Sequence, residues 1–350
     1  MRPPPLGRYP DPTRLWRSRA AVEPVRRAAL DWARRERDRR AATPRQVMEH
    51  VHLGYGHVDF FHSLFPPILR ALPRGFTAVE MGAGMAWHAA MLLAHGAGRV
   101  VATEPHWGAK TPLGPHNATA LRRLAERDPA LASALDLSDP NPEMVGLPRG
   151  LQLAHGAADR LPVRDGCADL VYSVNCLEHI VPLAASMGEA ARALRIGGRF
   201  FATSEPLYYA PFGHHLGDVF PLPWGHLLWE AEELVELALS EAGPGREWEP
   251  GVPLAAEHLR AILLRELNYL SPAALRAAFG GPWRVRGWVD WIEPEWEQRA
   301  RAWGLGAALA VPREWLVLRG VTVHVERRPR PEGLRLAVRL PATVRRLWRR

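Results

Sequence analysis

Residues 77–104, TAVEMGAGMAWHAAMLLAHGAGRVVATE, decide how this chain reads. Ala78 to Met81 is an apolar run interrupted only by Glu80, as a buried strand requires. Gly82 and Gly84 then mark a turn, Ala86 to about His95 has the composition of a helix, and Arg99 to Thr103 is a second strand. A strand, a glycine turn, a helix and a strand in this order form the opening half of a Rossmann-like unit. Glycines at 82 and 84 remove the Cβ atoms that would hold a ligand off the backbone, and they permit the dihedrals of a tight turn. The helix that follows points unpaired backbone N–H groups at whatever lies above the turn.

Two acids narrow the ligand. Glu104 follows the second strand about 20 residues beyond the glycines, where a carboxylate accepts the hydroxyls of a ribose. Glu80 closes the first strand, immediately before the turn. A carboxylate there repels a pyrophosphate and suits an ammonium group. The third glycine of the dinucleotide pattern would fall at Trp87, so the pattern is E-x-G-x-G-x-A, ending on Ala86. A ribose with a cationic amino-acid tail and no phosphate describes S-adenosylmethionine (SAM).

Further along, HGAADRLPVRDGCADLVYSVNCLEHIVPLAASMGEAARALRIGGRFFATSEP carries the rest of the pattern. Ala168 to Val174 reads as a strand covered on both faces. Pro182 to Leu194 reads as a helix closed at Gly197-Gly198, and Arg199 to Thr203 as another strand. With LQLAHG before them, these pieces resemble class I SAM-dependent methyltransferases of the type 11 kind over roughly residues 75–205. The resemblance implies an α/β fold: a three-layer, doubly wound, mostly parallel seven-stranded sheet with an antiparallel edge. It also implies SAM as cofactor and S-adenosylhomocysteine as product. Carried over by position, Glu80, Gly82, Gly84 and Ala86 face the methionine part and Glu104 the ribose. Ala158 and Asp159 lie along the adenine, and Asn175 floors the sulfonium. In one departure, the acid common just after the strand-three glycine is replaced by Ala157, so either Asp159 or backbone groups must hold the adenine.

Outside that core the expectations are coarser. Residues 1–45 form a basic, partly mobile extension with a helix from Arg14 to Arg40, whose stripe is Trp16, Val22, Val25, Leu30 and Trp32. Residues 46–328 form the methyltransferase domain: a lid helix (46–74), the cofactor core (75–205), a substrate loop and helices (206–282) and final strands (283–328). Residues 329–350 are a basic tail, suited to a weak contact with an anionic membrane surface or simply solvated. The net charge of +8 is concentrated at these ends. Residues 1–50 carry 13 Arg against 6 acids and 326–350 carry 9 against 2, while 51–325 has 23 basic and 29 acidic residues. That acidic core argues against a DNA-binding groove. With neither a membrane-length apolar run nor a secretion signal, the chain is expected in the cytoplasm. Cys167 and Cys176 read as reduced thiols.

No metal site is expected. His50, His52, His57 and His62 are spaced 2, 5 and 5 apart, which fits no cage. Beyond residue 205, LYYAPFGHHLGDVFPLPWGHLLW lies where ligands bind in such folds. Tyr208, Phe212 and Trp224 are taken as substrate walls, and His214, His215, His226 and His179 as candidate bases. Near Pro294, Trp283, Val285, Gly287 and Val289 share one strand face, a helix covers 294–308, and a last strand runs through WLVLRGVTVHVERR. The expected reaction is SN2 methyl transfer to a small molecule or glycan, O-directed. The alternatives are an RNA or protein methyltransferase docking through the Arg-rich ends, and a silent SAM-binding scaffold.

Overall fold

The computed structural model describes residues 10–41, 55–105, 115–138, 141, 145–243, 245–249 and 252–329. His50, His52 and the tail beyond Pro329 lie outside the described residues.

Seven strands form one sheet: β1 (Thr77–Met81), β2 (Arg99–Glu104), β3 (Leu151–His155), β4 (Ala168–Val174), β5 (Leu194–Ser204), β6 (Trp283–Ile292) and β7 (Leu318–Arg327). Their order is β3-β2-β1-β4-β5-β7-β6. The first five are parallel, and β7 runs antiparallel between β5 and β6. This is the three-layer doubly wound α/β sheet with an antiparallel edge that the resemblance over residues 75–205 implied.

The inner strands β1, β2 and β4 are buried on both faces, which explains their unbroken apolar runs. Successive side chains leave opposite sides. Val79, Val171 and Phe200 join one core with Leu183, Met187 and Ala190 of a helix at Leu183–Ala193. Ala78, Leu170, Tyr172 and Phe201 join the other. That second layer is α2 (Tyr55–Leu64), α3 (Trp87–Ala94), α4 (Pro115–Arg127) and α5 (Pro129–Ala134). The break expected at Asp128-Pro129 is present: Asp128 caps α5 through bonds from the Ala130 and Leu131 N–H groups.

Four local expectations need correction. The helix before β5 ends at Ala193, and β5 begins at Leu194, four residues upstream of Gly198. The helix expected over 294–308 stops at Ala302 and restarts at Leu305, with left-handed Gly304 between. Residues Arg313–Val317 are helical, so the last strand starts at Leu318. In β6 a bulge between Val285 and Gly287 resets the alternation. Trp283 and Trp288, an odd number apart, therefore both pack on the layer of Phe279 and Phe200, while Val285 and Val289 are each 55% exposed.

A third core departs most from expectation. The N-terminal helix α1 (Arg19–Ala41) is not merely solvated outer decoration: Val22, Val25, Ala29 and Ala33 are all buried at helical spacing. They pack with Phe220, Trp224, Leu227, Leu228, Leu259 and Leu263 from the segment after β5. Fully burying one such valine contributes roughly 1.5–3 kcal/mol. Arginines seal the seam. Arg26 donates to the Leu228 carbonyl at 2.6 Å and lies over Trp16 and Trp229. Arg34 and Arg37 both grip Glu241, at 2.6 and 2.8 Å, at the end of a helix over Ala231–Ala242.

Candidate active site

The cradle begins where β1 ends. Gly82 and Gly84 have φ of +71° and +51°, and Ala86 adopts +58° as the N-cap of α3. The two glycines are needed for different reasons. A Cβ on Gly82 would sit 2.0 Å from the Cys176 Sγ, so the turn must be bare to pass under the loop after β4. A Cβ on Gly84 would meet nothing within 4 Å, so the space above that residue is open. The Gly82 and Ala83 N–H groups bond the Thr103 carbonyl at 3.0 Å each, and the Gly84 N–H donates to Glu104 Oε2 at 3.3 Å. Trp87, at the place of the missing third glycine, donates its indole N–H to buried Asn117, which ties α4 to the turn. His57 of α2 meets the rings of Trp87 and His88 edge-on at 4.8 and 5.1 Å.

Glu80 lies beneath the turn, 1% exposed. Burial pushes its carboxyl up to about 8. Its nearest basic neighbour, His88, is 4.0 Å away, and burial pushes that ring down to about 3. No donor of the described residues reaches Glu80 Oε2 with hydrogen-bond geometry. Asn175 follows β4 at φ +46°. Its N–H bonds the Thr203 carbonyl at 3.0 Å and its Oδ1 accepts from the Thr203 hydroxyl at 2.8 Å. Ala158 and Asp159 stand in a turn after β3, Ala158 half-buried and Asp159 exposed.

Beside Asn175 opens a cavity of about 590 Å³. The ends of β4 and β5 supply Asn175, Glu205 and Pro206, the loop beyond adds Phe212, His215 and Asp218, and α1 adds Trp32, Glu36, Arg39 and Arg40. Glu293, Glu295, Trp296 and Arg319 complete it.

Of the four candidate histidines, His215 alone is on this wall. It is neutral, since burial pushes it down to about 3, and its Nε2 faces the Pro206 carbonyl at 3.3 Å. His179 stands behind it, ring centroids 4.9 Å apart, bonded to the Glu266 carbonyl at 2.7 Å. His214 and His226 are wholly buried and bond the Leu222 and Tyr208 carbonyls. They hold the loop's shape. Phe212 lines the cavity. Tyr208 and Trp224 do not: both belong to the third core, where Trp224 is 0% exposed and donates to the Leu316 carbonyl. A loop rich in aromatics needs its own core, and these rings provide it.

Glu205 was missed. It directly follows β5, where a parallel strand points its end at a ligand, so its place in FATSEP carried the signal. Burial raises its carboxyl above the ordinary range, against the pull of Arg319 at 3.0 Å. Arg39, Arg40 and Glu36 were missed too, because nothing local connects residue 40 with residue 205.

Residues 113–202 match the family model described as a methyltransferase domain. Over that stretch, about a quarter of the chain, the core is similar to that family. The match starts beyond the glycine turn, so the cradle stands on its own geometry. No curated protein matches the chain. Among solved structures, an S-adenosylmethionine dependent methyltransferase from Mesorhizobium loti is 17% identical, with 75% of this chain and 97% of that one covered and a TM-score of 0.38. A geranyl diphosphate C-methyltransferase from Streptomyces coelicolor A3(2), in complex with Mg2+, geranyl diphosphate and S-adenosyl-L-homocysteine, is 14% identical over 80% and 82%, TM-score 0.41. The [4+2]-cyclase SpnF is 14% identical over 74% and 76%, TM-score 0.35.

The residues present fit SAM, the cofactor that the sequence pattern implied. Open space above Gly84 admits a ligand against the backbone. Glu104 stands at the end of β2 for a ribose, and Glu80 is a buried carboxyl with an oxygen to spare. No helix among the described residues is long and apolar enough to cross a membrane.

Proposed function

We propose that the chain methylates a small molecule or glycan held in the 590 Å³ cavity, at a hydroxyl oxygen, with Glu205 as the base. The observation that carries this reading is the meeting of Asn175, Glu205 and His215 on one wall, at the C-terminal ends of β4 and β5.

SAM supplies a methyl group already activated on a sulfonium, so the protein's main task is alignment. Glu80, Gly82, Gly84, Ala86 and Glu104 would hold its methionine and ribose parts, Ala158 and Asp159 would flank the adenine, and Asn175 would floor the reacting end. A hydroxyl acceptor must lose its proton as the new C–O bond forms. Glu205 takes that proton: a carboxylate raised by burial lies nearer the operating pH than a histidine at about 3 and is the stronger base. With Nε2–H given to the Pro206 carbonyl, His215 keeps a lone pair on Nδ1 to accept from a second donor group of the acceptor, away from the reacting hydroxyl, and so orient it. Trp32, Phe212 and Trp296 supply the apolar wall.

Five of the eight arginines of α1 speak against docking of RNA or protein through this end: Arg26, Arg34, Arg37, Arg39 and Arg40 are already paired with Glu233, Glu241, Asp38 and Glu36.

The test is SAM turnover by the purified full chain over a panel of hydroxylated small molecules and glycans, with RNA and protein fractions as separate arms. Acceptor-dependent S-adenosylhomocysteine from the small-molecule arm is expected. Product from the RNA or protein arm alone would replace this reading, and SAM binding with no product in any arm would leave a silent scaffold.

A further inference from the structure

At the far end of α3 from the glycine turn, three side chains distant in sequence converge. His62 comes from α2, His95 caps the C-terminus of α3, and Asp128 caps the N-terminus of α5. We propose that they form a zinc site, with His62 Nε2, His95 Nε2 and Asp128 Oδ2 as ligands.

The geometry carries it. Both imidazole nitrogens face the same oxygen, at 3.4 Å for His62 and 2.9 Å for His95, and all three donor atoms lie within 4.8 Å of one another. Ligands about 2.0–2.1 Å from a tetrahedral zinc ion stand about 3.3 Å apart, so little movement is needed. The set of two imidazoles and a carboxylate suits zinc chemically.

Asp128 is already aimed. Its Oδ1 accepts the Ala130 and Leu131 N–H groups at 3.0 and 3.1 Å, which turns Oδ2 towards the histidines. Capping a helix needs only the first oxygen; the second is 1% exposed side chain facing two imidazoles from two other elements. That orientation by a second set of bonds is what a metal ligand requires. His62 is 44% exposed, which leaves water a fourth position.

The ion would displace the proton now shared between His95 and Asp128. It would clamp α2 to α3 and α5, about 12 Å along α3 from the turn, and is therefore structural rather than part of methyl transfer. The spacing of His62 among the nearby histidines gave no hint, because its partners lie 33 and 66 residues away.

The experiment is calorimetric titration of Zn2+ into the full chain, with Co2+ absorption as a check of tetrahedral ligation. One ion per chain is expected, with a Kd on the order of 1 µM or tighter, weakened at least about 100-fold by His62→Ala and by Asp128→Asn. Asparagine caps a helix as well as aspartate does, and His62 is half in solvent, so both variants should fold. A hundredfold excess of zinc over its Kd should raise the wild-type Tm by about 4 °C and that of neither variant. Absence of one-to-one binding, or a site surviving either substitution, would overturn the proposal.

Discussion

The cofactor cradle and the cap over the cavity are built in opposite ways. The cradle is backbone: positive-φ residues at 82, 84 and 86 lie within five positions, and its main bonds run from the turn to Thr103 and Glu104 next door in the sheet. The cap is side chains from distant segments. Helix α1 meets residues 208–269 through buried Val22, Val25, Ala29 and Ala33 and through arginine pairs some 200 positions apart. A region made of local backbone announces itself in sequence and tolerates few substitutions. One made of long-range pairs tolerates many, and it leaves room to reshape what the cavity accepts.

The largest effect should separate chemistry from both regions. Glu205→Gln keeps the shape of the wall and removes the base, so kcat/KM should fall by about 10²–10⁴. SAM affinity by calorimetry should stay within about twofold, because Glu205 lies on the acceptor side. A change of less than tenfold would place the base elsewhere, with His215 the next residue to test.

The cradle's two glycines should then part company. Gly82→Ala forces a methyl into Cys176 at a left-handed position and should cost about 2–5 kcal/mol in chemical denaturation. Gly84→Ala has the same backbone strain with open space beyond, so about 1–2 kcal/mol is expected. Its main loss should instead be in SAM affinity, since the new Cβ occupies the ligand's side. Equal stability losses would mean that strain alone, and not the close approach of Cys176, demands glycine at 82.

This division also explains what could be read in advance. Strand and turn positions from β1 to β4 follow from apolar runs and glycines, which report local backbone, whereas Gly197-Gly198 suggested a turn where β5 is already running. The bulge in β6 could not be read: one extra residue after Val285 changes which side Gly287 and Val289 take, and the alternation looks the same either way. Among the histidines, composition pointed to the loop that lines the cavity but could not rank its members. His214 and His226 satisfy carbonyls that the loop's own folding buries, a demand invisible until the loop's path is known. Glu205 was legible through the rule that strand ends face ligands, whereas Arg40 was not.

A milder test of the cradle concerns protons. Glu80 is raised from the usual carboxylate range to about 8 by burial, so near neutrality the free protein holds its proton. A cationic ligand favours the carboxylate, so binding releases a proton below pH 8. SAM affinity should therefore rise with pH, by up to about tenfold per unit between pH 6 and 7.5. Calorimetry in two buffers of different ionisation enthalpy should count close to one proton released at pH 6.5. Glu80→Gln should flatten the dependence. A flat profile in the wild type would mean that the ligand does not sense Glu80.

The smallest effect probes the seam of the cap. Glu241 is 12% exposed at its side chain and is held by Arg34 and Arg37, which are 49% and 38% exposed. Water screens both guanidinium groups, so a double-mutant cycle of Arg34→Ala with Glu241→Ala should give a coupling of only about 0.5–1 kcal/mol, falling with added salt. Val25→Ala removes buried apolar volume and should cost more, about 1–3 kcal/mol, with no salt dependence. If α1 were a solvated extension, the cycle would give zero and Val25→Ala would be silent. Coupling together with a raised KM for the acceptor in Val25→Ala would instead establish that this helix sets the wall of the cavity, because α1 lines it through Trp32, Glu36, Arg39 and Arg40.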